Sequence, residues 1–196
     1  MHNTPIVGVL GLQGDFAAHG QVLRRRGVEV RVVRQPKQLT GLNGLVIPGG
    51  ESTTLIKLMD VFEFWDPLRE FVRSGAAVFG TCAGLIILAS EVLNPRQRSL
   101  SVIDVAVERN GYGRQRESFE GEGVFSAEGT RIPMVFIRAP RIVRTGANVL
   151  ALGECEGDTV IARQDNVLVA TFHPELSSDD TQVHDYFLKM VRTCAG

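Results

Sequence analysis

Gly80-Thr81-Cys82-Ala83-Gly84 stands between two apolar runs, residues 76–79 and 85–93. A strand, a sharp turn flanked by small residues and a helix form the pattern that lifts one side chain off a sheet edge onto a helix N-terminus. There the helix dipole and free backbone N–H groups favour a thiolate. A lone cysteine between a strand and a helix is otherwise most simply a packed core residue. The glycines at both flanking positions shift the reading towards a nucleophile.

The elements around this turn define a layered α/β chain. Ile6–Leu10 is a short apolar run. Asp15 then opens a helix through Val22 and Leu23 to Arg24-Arg25-Arg26, closed by Gly27. Residues 28–33 and 45–47 read as further strands rich in branched side chains, the composition of buried parallel strands. Ser52 is placed to cap a helix through Leu55, Ile56, Leu58 and Met59, and another helix runs from Asp66-Pro67 to Gly75. Such alternation implies a parallel sheet. Open sheets of this kind carry their sites at the strand C-termini, so the loops after Leu10, Ile47 and Phe79 should meet in one crevice. Beyond Pro95, residues 101–108, 133–137, 149–152, 159–163 and 167–172 look like strands with hairpin spacing, which adds antiparallel strands to the core. Residues 110–129, with five glycines, read as a mobile surface loop, and residues 180–191 close the chain as a helix.

The 196 residues fit one domain, 1–196. With 21 Lys plus Arg against 22 Asp plus Glu, no general field attracts nucleic acid or an anionic membrane. No run reaches the length of a membrane span, and the start lacks the features of a signal peptide. Three cysteines without C-x-x-C spacing suggest neither a disulfide framework nor a zinc ribbon, and a cytoplasmic location is the natural expectation.

A thiolate nucleophile needs a base, and the base needs an orienting group. His173-Pro174-Glu175 offers both, after an apolar strand, with the proline shaping the turn between them. His2 is terminal; His19 and His184 fall in expected helices, where a solvated or packed side chain is the simpler reading. Zinc deaminases also use H-x-E, but only Cys194 follows His173, so the thiolate pair of such a site is missing and no metal is expected. Pro48-Gly49-Gly50-Glu51-Ser52 lacks the lysine of a phosphate loop. Its better use is to aim N–H groups of Gly49 and Gly50, with that of Ala83, at a developing oxyanion. Together these groups suit attack on an amide or ester carbonyl, a chemistry that peptidases and small-ester hydrolases share.

Six segments, in order, carry a specific resemblance: Gly11-Leu12-Gln13-Gly14, Pro48-Gly49-Gly50-Glu51-Ser52-Thr53, Gly80-Thr81-Cys82-Ala83-Gly84-Leu85, Gly113-Arg114-Gln115, Phe136-Ile137-Arg138-Ala139-Pro140 and His173-Pro174-Glu175-Leu176. The chain resembles the glutaminase subunits of pyridoxal 5'-phosphate synthases, within the class I glutamine amidotransferases. The resemblance implies a three-layer, flavodoxin-like α/β fold with a mostly parallel sheet and added antiparallel strands. It implies hydrolysis of L-glutamine to glutamate and ammonia by Cys82, His173 and Glu175 through a glutamyl thioester, without a cofactor. It places Gly50, Glu51, Ser52, Arg109, Ile137 and Arg138 around glutamine, with either arginine able to clamp the α-carboxylate. It also implies that ammonia passes to a separate (β/α)8 barrel synthase subunit, in a hetero-oligomer of twelve plus twelve subunits, and that docking near Gln13 completes the oxyanion hole.

Overall fold

The computed structural model describes residues 4–109, 111, 118–177 and 182–194. In chain order the elements are β1 (Ile6–Leu10), α1 (Phe16–Arg25), β2 (Glu29–Val33), β3 (Gly44–Ile47), α2 (Ser52–Val61), α3 (Trp65–Arg73), β4 (Ala77–Thr81), α4 (Ala83–Leu88), β5 (Ala89–Leu93), β6 (Ile103–Glu108), β7 (Ser118–Phe125), β8 (Thr130–Ile137), β9 (Arg141–Thr145), β10 (Leu150–Cys155), β11 (Asp158–Gln164), β12 (Val167–Ala170) and α5 (Gln182–Cys194). The main sheet has the order β2-β1-β3-β4-β12-β11-β10-β7-β8, and β5-β6-β9 form a second, smaller sheet.

The first five strands of the main sheet are parallel, and the remaining four continue it as antiparallel neighbours. The parallel part has the doubly wound order of flavodoxin-like folds, in which ligands lie at the strand C-termini. Alternation along each strand supplies two apolar faces. Leu45, Ile47, Val78, Val167 and Val169 face α2, α3, α4 and the small sheet, whereas Val46, Phe79, Leu168 and Ala170 face α1 and α5. This makes three layers, with the sheet in the middle. Among the described residues no helix is long and apolar enough to cross a membrane.

Asp15 caps α1 by accepting from the Ala18 N–H at 3.2 Å, and Gly27 turns the chain at φ 74°. Four sequence expectations need correction. Glu51, not Ser52, caps α2, its carboxylate accepting from the Thr53 N–H at 3.0 Å while Ser52 begins the helix. The apolar run 85–93 is helical only to Leu88 and then becomes β5, because a wholly buried run lacks the periodicity that separates helix from strand. The stretch 110–129 is not all loop: β7 pairs with β8 from Ser118↔Ile137 to Phe125↔Thr130. The last of the late strands, β12, returns parallel to β4 rather than forming hairpins on both sides. Gly113-Arg114-Gln115 lies outside the described residues.

The turn after β4 depends on close packing. A Cβ on Gly84 would stand 2.0 Å from the backbone oxygen of Ile47, which cannot move without distorting β3. Gly84→Ala is therefore expected to cost about 3 kcal/mol or more and to lower the melting temperature by roughly 10 °C, measurable by thermal unfolding. An unchanged melting temperature would mean that α4 can move away from β3.

Candidate active site

The loops after β1, β3, β4 and β12 converge at one edge of the sheet. Cys82, between β4 and α4, has φ 48° and ψ −103°, outside the regions that non-glycine residues favour. Strain of this sort costs about 1–3 kcal/mol and persists only where surrounding packing enforces it. Here Gly80 lies against Gly84 and Leu88, and Gly84 against Ile47, so the turn has no room to relax. Cys82 is buried to 5% exposure, with Sγ 3.9 Å from the Ile137 carbonyl oxygen.

His173 leaves β12, the strand hydrogen-bonded beside β4, so two residues far apart in sequence occupy neighbouring strand ends. Its Nδ1 lies 2.8 Å from Glu175 Oε1, and a short 3-10 turn, Pro174–Leu176, bends the carboxylate back to the ring. Burial disfavours the charged imidazole, but hydrogen bonds and the fields of Cys82 and Glu175 outweigh it and push His173 up to about 10. Burial also opposes ionisation of Glu175, yet His19 and His173 together hold its carboxyl well below the usual range. Around neutral pH this arrangement is an imidazolium beside the Glu175 carboxylate.

A cleft of about 230 Å³ opens over these groups, lined by Gly50, Glu51, Ser52, Cys82, Ile86, Arg109, Ile137, Arg138 and His173. Glu51 accepts from the Thr53 N–H and hydroxyl and lies 3.2 Å from Arg109 Nη2. Those Thr53 hydrogen bonds, against the opposing effect of burial, and then the fields of Arg109 and Arg138 hold the Glu51 carboxyl below its usual range. A carboxylate and guanidinium facing one cleft match the ammonium and carboxylate of an α-amino acid. Arg138 has φ 41°, a backbone setting held by the end of β8. The buried Ser52 hydroxyl donates to Gln97 at 3.0 Å.

Gly49 and Ala83 are not in the cleft lining. A Cβ on Gly49 would meet His173 Cε1 at 2.3 Å and Cys82 Cβ at 3.2 Å, so only glycine lets this backbone lie against both. Ala83 follows Cys82 and is fully buried. Gln13 grips the same turn, donating to the Gly49 carbonyl at 3.4 Å and accepting from the Glu51 N–H at 3.1 Å.

Sequence reasoning passed over Ile86, Gln97, His19 and His184. Both histidines are fully buried, and His19 Nε2 lies 3.2 Å from Glu175 Oε2. Their spacing held the signal: His19 shares a helix face with Val22 and Leu23, and His184 with Phe187, Leu188 and Val191. Among the described residues no group of three or more His, Cys, Asp and Glu side chains could hold a metal ion.

A crystal structure described as a glutamine amidotransferase superposes on the chain with a TM-score of 0.89 at 45% identity, covering 95% of this chain and 98% of that one. The fold is that of a glutamine amidotransferase. The family model for the SNO glutamine amidotransferases matches residues 9–193, and the chain belongs to that family. Two relatives are each named pyridoxal 5'-phosphate synthase subunit PdxT. The one from Thermosipho africanus is 50% identical over 95% of this chain and 98% of its own. The one from Koribacter versatilis is 52% identical over 95% of both.

Proposed function

We propose that this chain is the glutaminase subunit of a pyridoxal 5'-phosphate synthase, hydrolysing L-glutamine and delivering the ammonia to a partner synthase subunit. The observation that carries the reading is the Cys82, His173 and Glu175 constellation opening into a cleft with paired charges, in a chain half identical to synthase subunits over nearly its whole length. Arg109 or Arg138 takes the α-carboxylate of glutamine and Glu51 its ammonium, with Gly50, Ser52 and Ile137 completing the contacts. The ion pair between Arg109 and Glu51 is exchanged for these contacts when the zwitterion enters.

The Cys82 thiolate then attacks the side-chain amide carbon, forming a C–S bond and an oxyanion that N–H groups of Gly49, Gly50 and Ala83 receive. His173, held as an imidazolium, gives its proton to the amide nitrogen; the C–N bond breaks, and ammonia leaves a glutamyl thioester. The neutral ring then takes a proton from water, whose oxygen attacks the thioester carbon. Glutamate leaves and the thiolate returns. Glu175 keeps the ring oriented throughout. The chain works as a single domain in the cytoplasm, with a (β/α)8 barrel partner in an assembly of twelve plus twelve subunits, and Gln13 links docking to the oxyanion turn.

Glutamate release from L-glutamine, measured with and without a barrel synthase subunit, tests this reading. Strong stimulation by the barrel is the expected result. Silence towards glutamine with the barrel demonstrably bound would overturn it.

A further inference from the structure

Behind Glu175 lies a buried chain of polar groups for which the reaction above has no use. His19 Nε2 is 3.2 Å from Glu175 Oε2 and 3.2 Å from Thr81 Oγ1, and His19 Nδ1 is 2.9 Å from His184 Nε2. His19, Thr81 and His184 are all fully buried. Phe79 closes the pocket with its ring edge-on to both imidazoles. The groups facing one another here are Cys82 and Glu175 on His173, His173 and His19 on Glu175, and His19, Glu175 and, through its field, Arg26 on His184.

The proton positions follow from the contacts. If His19, neutral or charged, donated from Nδ1 to His184, the His184 proton would sit on Nδ1 as a buried N–H without an acceptor, and a neutral His19 would also turn a bare Nε2 lone pair to the Glu175 carboxylate. The opposite order avoids both costs. His184 donates from Nε2 to His19 Nδ1, and His19 presents Nε2–H to Glu175 and Thr81. His184 Nδ1 is then a bare lone pair, consistent with its lack of any hydrogen-bond partner and cheaper to bury than an unpaired donor. Burial above all keeps His184 uncharged, with its pKa brought down to about 3.

We propose that His19 is a positioning residue for this glutaminase: from α1 it ties the carboxylate that orients His173 to the strand residue beside Cys82, with its tautomer fixed by His184. Glu175 Oε1 is taken by His173, while Oε2 makes no hydrogen bond of good angle and faces His19 Nε2 at 3.2 Å, so electrostatic attraction to the His19 Nε2–H supports the carboxylate on that side. Thr81, the neighbour of the nucleophile, shares the same nitrogen. One side chain thereby sets the distance between acid and nucleophile without touching the substrate. The proposal rests on the glutaminase reading of the site.

The test uses the full-length chain with the barrel subunit, and follows kcat, KM and the pH profile of glutamine hydrolysis for wild type, His19→Ala, His19→Gln and His184→Phe. The rate of Cys82 alkylation by iodoacetamide against pH, read on the Cys82 peptide by mass spectrometry, accompanies it. In His19→Ala, kcat should fall about tenfold to a hundredfold, the size seen for loss of the partner behind a metal-ligating histidine, with KM changed less than threefold. The alkaline limb of kcat/KM should move to lower pH and the onset of alkylation to higher pH, because the Cys82–His173 pair loses support from both sides. His19→Gln, which keeps a donor near Nε2, should recover most of the rate. If His19→Ala does not fold, His184→Phe, which removes the donor that fixes the His19 tautomer, carries the test through the position of the two pH limbs, both moving in the same directions. Folded His19→Ala or folded His184→Phe with unmoved limbs overturns the proposal, whatever happens to the melting temperature. Alkylation needs no glutamine, so a wild type silent towards glutamine defeats the glutaminase reading while the alkylation profile still reports on His19.

Discussion

Cys82→Ala should stop glutamate release, lowering kcat by about 10⁵-fold to 10⁶-fold, the scale on which loss of a nucleophile acts. The protein should remain folded. Sγ contacts the Ile137 carbonyl at 3.9 Å and hydrogen-bonds with His173, neither of them a structural tie of the turn, and alanine fills most of the same volume. The strained backbone at φ 48° is imposed by Gly80, Gly84 and their neighbours and survives the change. A coupled glutamate assay together with thermal unfolding separates the two statements. Turnover near the wild-type rate would remove Cys82 from the reaction. An electrophilic glutamine analogue should label Cys82 and leave the buried Cys155 untouched, since burial, followed by the fields of Glu156 and Asp158, pushes that thiol up.

Glu175→Gln should lower kcat by about 10³-fold to 10⁴-fold with little change in volume. The carboxylate now accepts from His173 Nδ1 at 2.8 Å and faces His19 Nε2 on its other side. An amide must place its NH₂ against one of these rings, so either the acid or its support takes the wrong tautomer. The pH dependence gives the sign. His173 is raised from 6.5 to about 10, so the imidazolium persists through the neutral range and is lost as pH rises through the folded value. Wild-type activity should fall on that alkaline side. Removing the Glu175 charge removes part of the upward shift, so the alkaline limb of the variant should begin at lower pH. A limb that stays in place would show that Cys82 alone maintains the charge on His173.

The strands β1 and β3 of the parallel core were legible because each is a short branched run closed by glycine, as at residues 45–47 before Gly49 and Gly50. The β7 strand was not. Its sequence alternates glycines and glutamates, Glu120-Gly121-Glu122-Gly123, and only pairing with β8 and the stacking of Phe119 on Phe136 make it a strand. The β9 strand, Arg141–Thr145, exposes most of its side chains and gives no apolar run to notice. Cys82 and the His173–Glu175 pair stood out because each is a local motif whose neighbours shape a turn. His19 and His184 did not, because nothing in either helix announces the other; they meet only when α1 and α5 pack on the same face of the sheet. Their inward spacing said that they were buried, but only the fold says against what.

The parallel seat of β12 beside β4 has a consequence for the chain while it is being made. Cys82, the proposed nucleophile, is translated early, with its own strand and turn, whereas His173, its proposed acid, arrives after β7 to β11 have been made. A growing chain can therefore assemble β1, β3 and β4 and still be chemically inert, since Cys82 has no imidazolium until β12 docks. On the proposed mechanism, the order of the strands along the chain withholds glutamine hydrolysis until nearly the whole sheet has been synthesised.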